Sequence, residues 1–182
     1  VGGQPNARRV CDYRGIPVFR WGPSHGTHEY LYNDLDAKEA FEEVVSIWQP
    51  DMVHFHCIQF LTASICDVCY SHHIPYIITV HDGWWLSHNQ FLLDDDMFLR
   101  IPTGNHLDIS VPPEKMLSDL DRATFLRLRM DRAVKVLSVS ESFAKIYQSC
   151  GVRNIISVPN GVSDAFLDAI SSAEGNVSTG HV

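Results

Sequence analysis

The stretch that decides the fold is "PYIITVH", Pro75 to His81. From Tyr76 to Val80 every residue is aromatic, aliphatic or β-branched, with no polar alternation. A run of that kind fits a strand covered on both faces, as in a parallel sheet with helices packed on each side. It ends abruptly on His81-Asp82-Gly83-Trp84-Trp85. Upstream, "PDMVHFH" (Pro50 to His56) makes a second apolar run that also ends on histidine and continues into Cys57-Ile58-Gln59.

The segments around these two runs alternate in type. "GIPVFRW" (Gly15 to Trp21) reads as a short, weak opening strand, followed by a loop rich in glycine, proline and histidine. A helix is expected from about Asp36 to Trp48, with Asp36 and Glu39 in capping-box spacing and Ala37, Ala40, Phe41, Val44, Val45 and Trp48 on one apolar face. "LTASICDVCYSHH" reads as the next helix, stopped by Pro75. After a long irregular segment comes a helix from about Glu114 to Arg132, then a strand, "AVKVLSVS" (Ala133 to Ser140). Ser140 is placed to cap the helix that follows, with Phe143, Ile146 and Tyr147 inward and Gly151 at its end. "NIISVPNGV" (Asn154 to Val162) is the last strand and its exit turn. The pattern predicts an α/β fold with a parallel sheet flanked by helices. Residues 1–14 form a poorly defined N-terminal segment, 15–162 one domain, and 163–182 a tail or the start of a linker.

Composition narrows the function. A formal net charge of -8 argues against a nucleic-acid surface, which needs a basic stripe. The arginines of "DRATFLRLRMDR" are spread around a helix and read as a solvated face. No apolar run approaches the ~20 residues that span a bilayer, and no signal-peptide pattern opens the chain. Five cysteines, odd in number and mostly in apolar surroundings, suit reduced thiols in the cytoplasm. Cys66 and Cys69 read as small core residues rather than a zinc or redox pair, because no second pair stands at zinc spacing. The sequon at Asn176 lies in the tail and carries little weight.

Ligands of open parallel sheets bind at the carboxyl ends of the strands. There this sequence places His54 and His56, then His81 and Asp82, then Ser138, Ser140 and Glu141, then Asn160. His54 and His56 share a face of their strand, and His56, His81 and Ser140 are expected as neighbours on one rim. His54, deeper in the strand, reads as scaffold and His81 as functional. Gly83 would let the backbone approach a ligand and leave room beside the imidazole.

"PDMVHFHCIQFLTASICDVCYSHHIPYIITVHDGWWLS", "VLSVSESFAKIYQSCGV" and "ISVPNGV" together resemble the N-terminal domain of family-4 glycosyltransferases, collinearly from about Gly15 to Val162. The resemblance implies a Rossmann-like half of a two-domain GT-B fold, on the acceptor side, in a retaining, metal-independent enzyme. It implies that His81 reaches the donor sugar and its phosphates. His56, Gln59, Asp82, Gly83, Trp84, Trp85, Ser140 and Asn160 are the accompanying substrate-binding candidates. Asp82 and the Gly83 backbone are expected to orient His81, and the two tryptophans either to wall the acceptor site or to pack the loop. The glycine-rich first strand and loop of the family have no copy here, and Gly2-Gly3 lacks a preceding strand. The nucleotide-holding C-terminal domain is likewise missing from these residues, so the chain by itself is expected to be inactive. No cofactor is implied beyond the nucleotide sugar as donor substrate. A glycan or lipid-linked acceptor and peripheral attachment at the inner face of the membrane follow from the same resemblance.

Two other readings compete. His54-x-His56 at a strand end, with His81 as a third ligand, could hold zinc in a metal-dependent hydrolase. A non-catalytic carbohydrate- or partner-binding module would keep the fold without the chemistry.

Overall fold

The computed structural model describes residues 7–22, 31–88, 90–94, 96–102 and 113–164. Within these spans the chain forms two sheets. A two-stranded antiparallel hairpin pairs β1 (Arg8–Tyr13) with β2 (Ile16–Trp21). A parallel sheet runs in the order β3 (Val53–His56), β4 (Tyr76–Val80), β5 (Lys135–Ser138) and β6 (Ile155–Ser157). Its helices are α1 (Leu35–Trp48), α2 (Ile65–Ser71), α3 (Pro113–Arg132) and α4 (Glu141–Ser149). Among the described residues no helix is long and apolar enough to cross a membrane.

The hairpin departs from the expected opening. The "GIPVFRW" run does form a strand, but it is no member of the parallel sheet; it folds back on Arg8–Tyr13, a segment whose polar sequence hid the pairing. Arg14 and Gly15 make the two-residue turn with φ of 54° and 82°, the positive pair that matches strand twist in a tight hairpin. Asp12 Oδ1 accepts from the Gly15 N–H at 3.0 Å. Phe19 meets Trp48 of α1 edge-on, 6.4 Å between centroids.

The parallel sheet follows from its apolar runs. Phe55, Tyr76, Ile78, Val80, Val136 and Ile155 are buried in one continuous core with Ile65, Cys66 and Cys69 of α2, Leu126 and Met130 of α3, and Ala144 and Tyr147 of α4. The two cysteines are thus packing residues, and burial pushes the Cys69 thiol up to about 12. Helix α1 starts earlier than its spacing suggested. Asp34, not Asp36, is the cap, its carboxylate accepting from the Asp36 and Ala37 N–H groups at 2.8 and 3.3 Å. Ser140 caps α4 as expected, its Oγ accepting from Phe143 N at 3.2 Å.

The arginines of α3 are not a solvated face. Arg122 and Arg129 are only 5% and 8% exposed. Arg129 donates to Asp67 Oδ2 at 2.5 Å and to Phe125 O at 2.9 Å, with its guanidinium 3.2 Å from the Phe125 ring centre. Tyr76, at the start of β4, donates from its hydroxyl to Arg129 O at 2.6 Å. These bonds fasten the end of α3 to the end of the sheet opposite the histidines. That leaves the carboxyl edge for chemistry.

Candidate functional site

Register brings the histidines together. In the parallel pair of β3 and β4, His54 stands opposite Ile77 and His56 opposite Thr79. His54 and His56 share one strand face, and Thr79 and His81 continue one face of the neighbour. Each histidine of β3 therefore meets the residue two places beyond its partner. His54 Nε2 lies 2.7 Å from Thr79 Oγ1, and His56 Nδ1 lies 3.1 Å from His81 Nε2. His56 Nε2 and His54 Nδ1, 3.3 Å apart, close the chain. His54, read as scaffold, is exposed and hydrogen-bonded within this row. Burial first, then His81, lowers the pKa of His54; burial, then His54 and His81, lowers that of His56.

The next turn is held by Asp82. Its Oδ2 accepts from Gln59 Nε2 at 2.7 Å and its Oδ1 from Trp84 N at 2.9 Å. Its carbonyl accepts from the buried hydroxyl of Tyr147 at 2.7 Å. The expectation that Asp82 orients His81 is therefore corrected. The carboxylate is taken up by Gln59 and the Trp84 amide, and His81 is met by His56. Cys57 leaves β3 with φ of 46°, which turns the loop that carries Gln59 toward Asp82.

Gly83 is required by the packing of the protein itself. A Cβ there would stand 2.5 Å from Leu92 Cγ and 3.0 Å from Gln90 O, and Gly83 N donates to Gln90 O at 2.6 Å. Trp84 and Trp85 are 1% and 5% exposed, in the core with Leu86 and Leu92. Of the two roles open to them they take the packing one, and no face of either ring is free to stack on a sugar. Arg122 donates to Trp84 O at 2.5 Å, and its guanidinium carbon lies 5.1 Å from the Trp84 ring centre. Burial lowers the Arg122 pKa to about 10.

Farther along the edge, Ser138 donates from its buried hydroxyl to Ser140 O at 2.9 Å, while the Ser140 side chain is occupied as the cap of α4. Asn160 is exposed three residues past β6, two strands away from β4. Hydrogen bonds join the three histidines in a row and Gln59 to Asp82; Ser140 leaves the adjacent strand, where Ser138 stands opposite Val80, and Asn160 follows the strand beyond it. Asp94, in the acidic run Leu92–Asp96, accepts from Phe98 N at 2.8 Å and Arg100 Nε at 2.7 Å, bonds that hold its carboxyl below the usual range.

Among the described residues no three His, Cys, Asp or Glu side chains are arranged to hold a metal ion. His56 spends one ring nitrogen on each neighbour, so the three rings share no common focus. The sequence did not single out Thr79, Tyr147's hydroxyl or Arg122 as supports of this edge. Tyr147 was legible as inward-facing, but its partner depends on where the Asp82 turn falls.

A four-stranded parallel sheet flanked by helices, with its polar groups gathered at the carboxyl edge, is a Rossmann-like α/β domain. The family model described as Glycosyltransferase Family 4 matches residues 2–166, and the chain belongs to that family. No curated protein and no solved structure matches the chain.

Proposed function

We propose that this chain is the N-terminal, acceptor-side part of a retaining glycosyltransferase. The enzyme moves a sugar from a nucleotide sugar to a hydroxyl of a glycan, lipid or other acceptor. Family membership supports the reaction class, and one observation supports the location. His81 is exposed at the end of β4 with Nε2 bonded to His56 and no hydrogen-bond partner on Nδ1 among the described residues. An imidazole presented in that way can bond an oxygen of the donor.

In a retaining transfer the nucleoside diphosphate leaves and the acceptor hydroxyl enters on the same face of an oxocarbenium-like sugar. Negative charge grows on the departing phosphate, and a fixed donor aimed at it lowers the barrier more than it stabilises the ground state. His81 fills that role, on a donor sugar held chiefly by a second domain facing this edge. Gln59 and Asp82 brace the turn beside it. No step calls on a metal or a redox group. The setting that goes with this reading is the cytoplasm, at the inner face of the membrane where lipid-linked acceptors lie.

The test is a transfer assay with a panel of nucleotide sugars and acceptors, on a protein carrying both this chain and a nucleotide-binding domain. Transfer with retained anomeric configuration supports the proposal. Metal-dependent hydrolysis without transfer contradicts it.

A further inference from the structure

We infer that Thr79, His54 and His56 form a hydrogen-bond relay that fixes the tautomer of His81, leaving its Nδ1 as a donor, and that the three imidazoles together accept one extra proton rather than three.

The argument is a count of hydrogens. A contact between two ring nitrogens needs one hydrogen between them; two clash, and none leaves lone pairs opposed. The contacts His54 Nδ1–His56 Nε2 and His56 Nδ1–His81 Nε2 therefore take two hydrogens. Two ring nitrogens remain, His54 Nε2 against Thr79 Oγ1 and His81 Nδ1 at the far end. Three neutral rings carry three hydrogens, so one end is protonated and the other is bare.

Thr79 decides which. Its residue is 8% exposed, and His54 Nε2 is the partner its hydroxyl has among the described residues. Were His54 Nε2 protonated, the Thr79 O–H would lose its acceptor in a buried place; a bare hydroxyl lone pair is the smaller loss. Thr79 thus donates to His54, His54 Nδ1–H to His56, and His56 Nδ1–H to His81 Nε2. The third hydrogen stays on His81 Nδ1, ready for an oxygen acceptor.

An added proton goes to His54 Nε2, where Thr79 turns from donor to acceptor. Every contact survives and His81 Nδ1 keeps its hydrogen. A second added proton must break a contact. The lowered pKa values of His54 and His56 agree with this. Besides burial, His81 acts on both and His54 on His56, while Asp82 is engaged by Gln59 and Trp84 N. Cys57, next to His56, has its thiol raised by burial and by Asp82 and stays neutral. His54 and His56 are positioning residues, since they act through His81. The consequence for sugar transfer rests on the proposed function; the relay does not.

Two-bond ¹H–¹⁵N spectra of the imidazoles on the full chain test it. At pH 8 all three rings are expected as Nδ1–H tautomers. Thr79→Val, which removes the hydroxyl and keeps the shape, should move a measurable share of all three rings to the Nε2–H form together. In the unaltered chain, lowering the pH to 5 should load one proton on the three rings combined. A His81 found as Nε2–H at pH 8, or three rings each taking a proton independently, overturns the inference whatever the variant does. Predicted tautomers beside unimpaired transfer by His81→Ala would overturn the proposed function and leave the relay standing.

Discussion

His56 Nδ1 lies 3.1 Å from His81 Nε2, joining the last residue of β3 to the first residue after β4. The bridge exists because parallel pairing sets His56 opposite Thr79, and His81 is the next residue of β4's line on the same face. A slip of one residue would turn His54 and His56 to the other face.

The relay predicts a pH dependence of stability. Burial and neighbouring histidines place the folded pKa of His54 and His56 below the ordinary 6.5. The unfolded chain then binds more protons than the folded one as the pH drops below about 6.5. Stability is whole above that value and is lost as pH falls through the folded values. Urea midpoints at pH 7.5 and 5.5 should differ more in the unaltered chain than in one carrying His54→Gln and His56→Gln. Equal differences would mean that the two histidines titrate as free groups.

Gly83→Ala should destabilise the fold. The new Cβ would fall 2.5 Å from Leu92 Cγ, in a core where Leu92 is 3% exposed. Overpacking of this kind costs about 1–3 kcal/mol. Denaturation of the single variant and of Gly83→Ala with Leu92→Ala gives a second check, since the clash predicts a double-variant loss smaller than the sum of the two singles. Strict additivity would place the strain elsewhere.

Most of the sheet was legible in advance because continuous apolar runs such as Tyr76–Val80 can be buried in few other ways. The histidines at strand ends were legible too, since polar groups closing such runs need a reason. Pairing was not. Arg8–Tyr13 is polar and exposed, so nothing in its own residues marks it as the partner of Ile16–Trp21. Asp36 looked like a cap by spacing, yet Asp34 is the residue with extended backbone before the first turn. The roles of Gly83, Trp84 and Trp85 turned on what comes back against them. That depends on Gln90, Leu92 and Arg122, which are distant in pattern though close in space.

Tyr147→Phe should keep the fold while loosening the turn at the site. It removes the 2.7 Å bond to Asp82 O and leaves that carbonyl without its partner from α4. A bond of this type contributes about 0.5–1.5 kcal/mol. Faster amide exchange at Trp84, whose N–H is held by the Asp82 carboxylate, reports the loosening. Unchanged exchange at Trp84 would detach Tyr147 from the site.

Asp34→Ala should cost about 1 kcal/mol, the usual worth of an N-cap, since it frees the Asp36 and Ala37 amides of α1. Asp36→Ala should cost distinctly less by thermal denaturation. The reverse order would restore Asp36 as the cap.

The central claim is that His81 touches the donor as it reacts, and turnover of His81→Ala in the full-length enzyme tests it most directly. A fixed donor aimed at developing charge contributes about 100-fold or more, so kcat should fall by at least that factor while the far-ultraviolet spectrum and melting temperature stay close to those of the unaltered enzyme. Near-normal kcat in a folded His81→Ala enzyme would contradict the account and reduce the imidazole to one more polar link at the edge of the sheet.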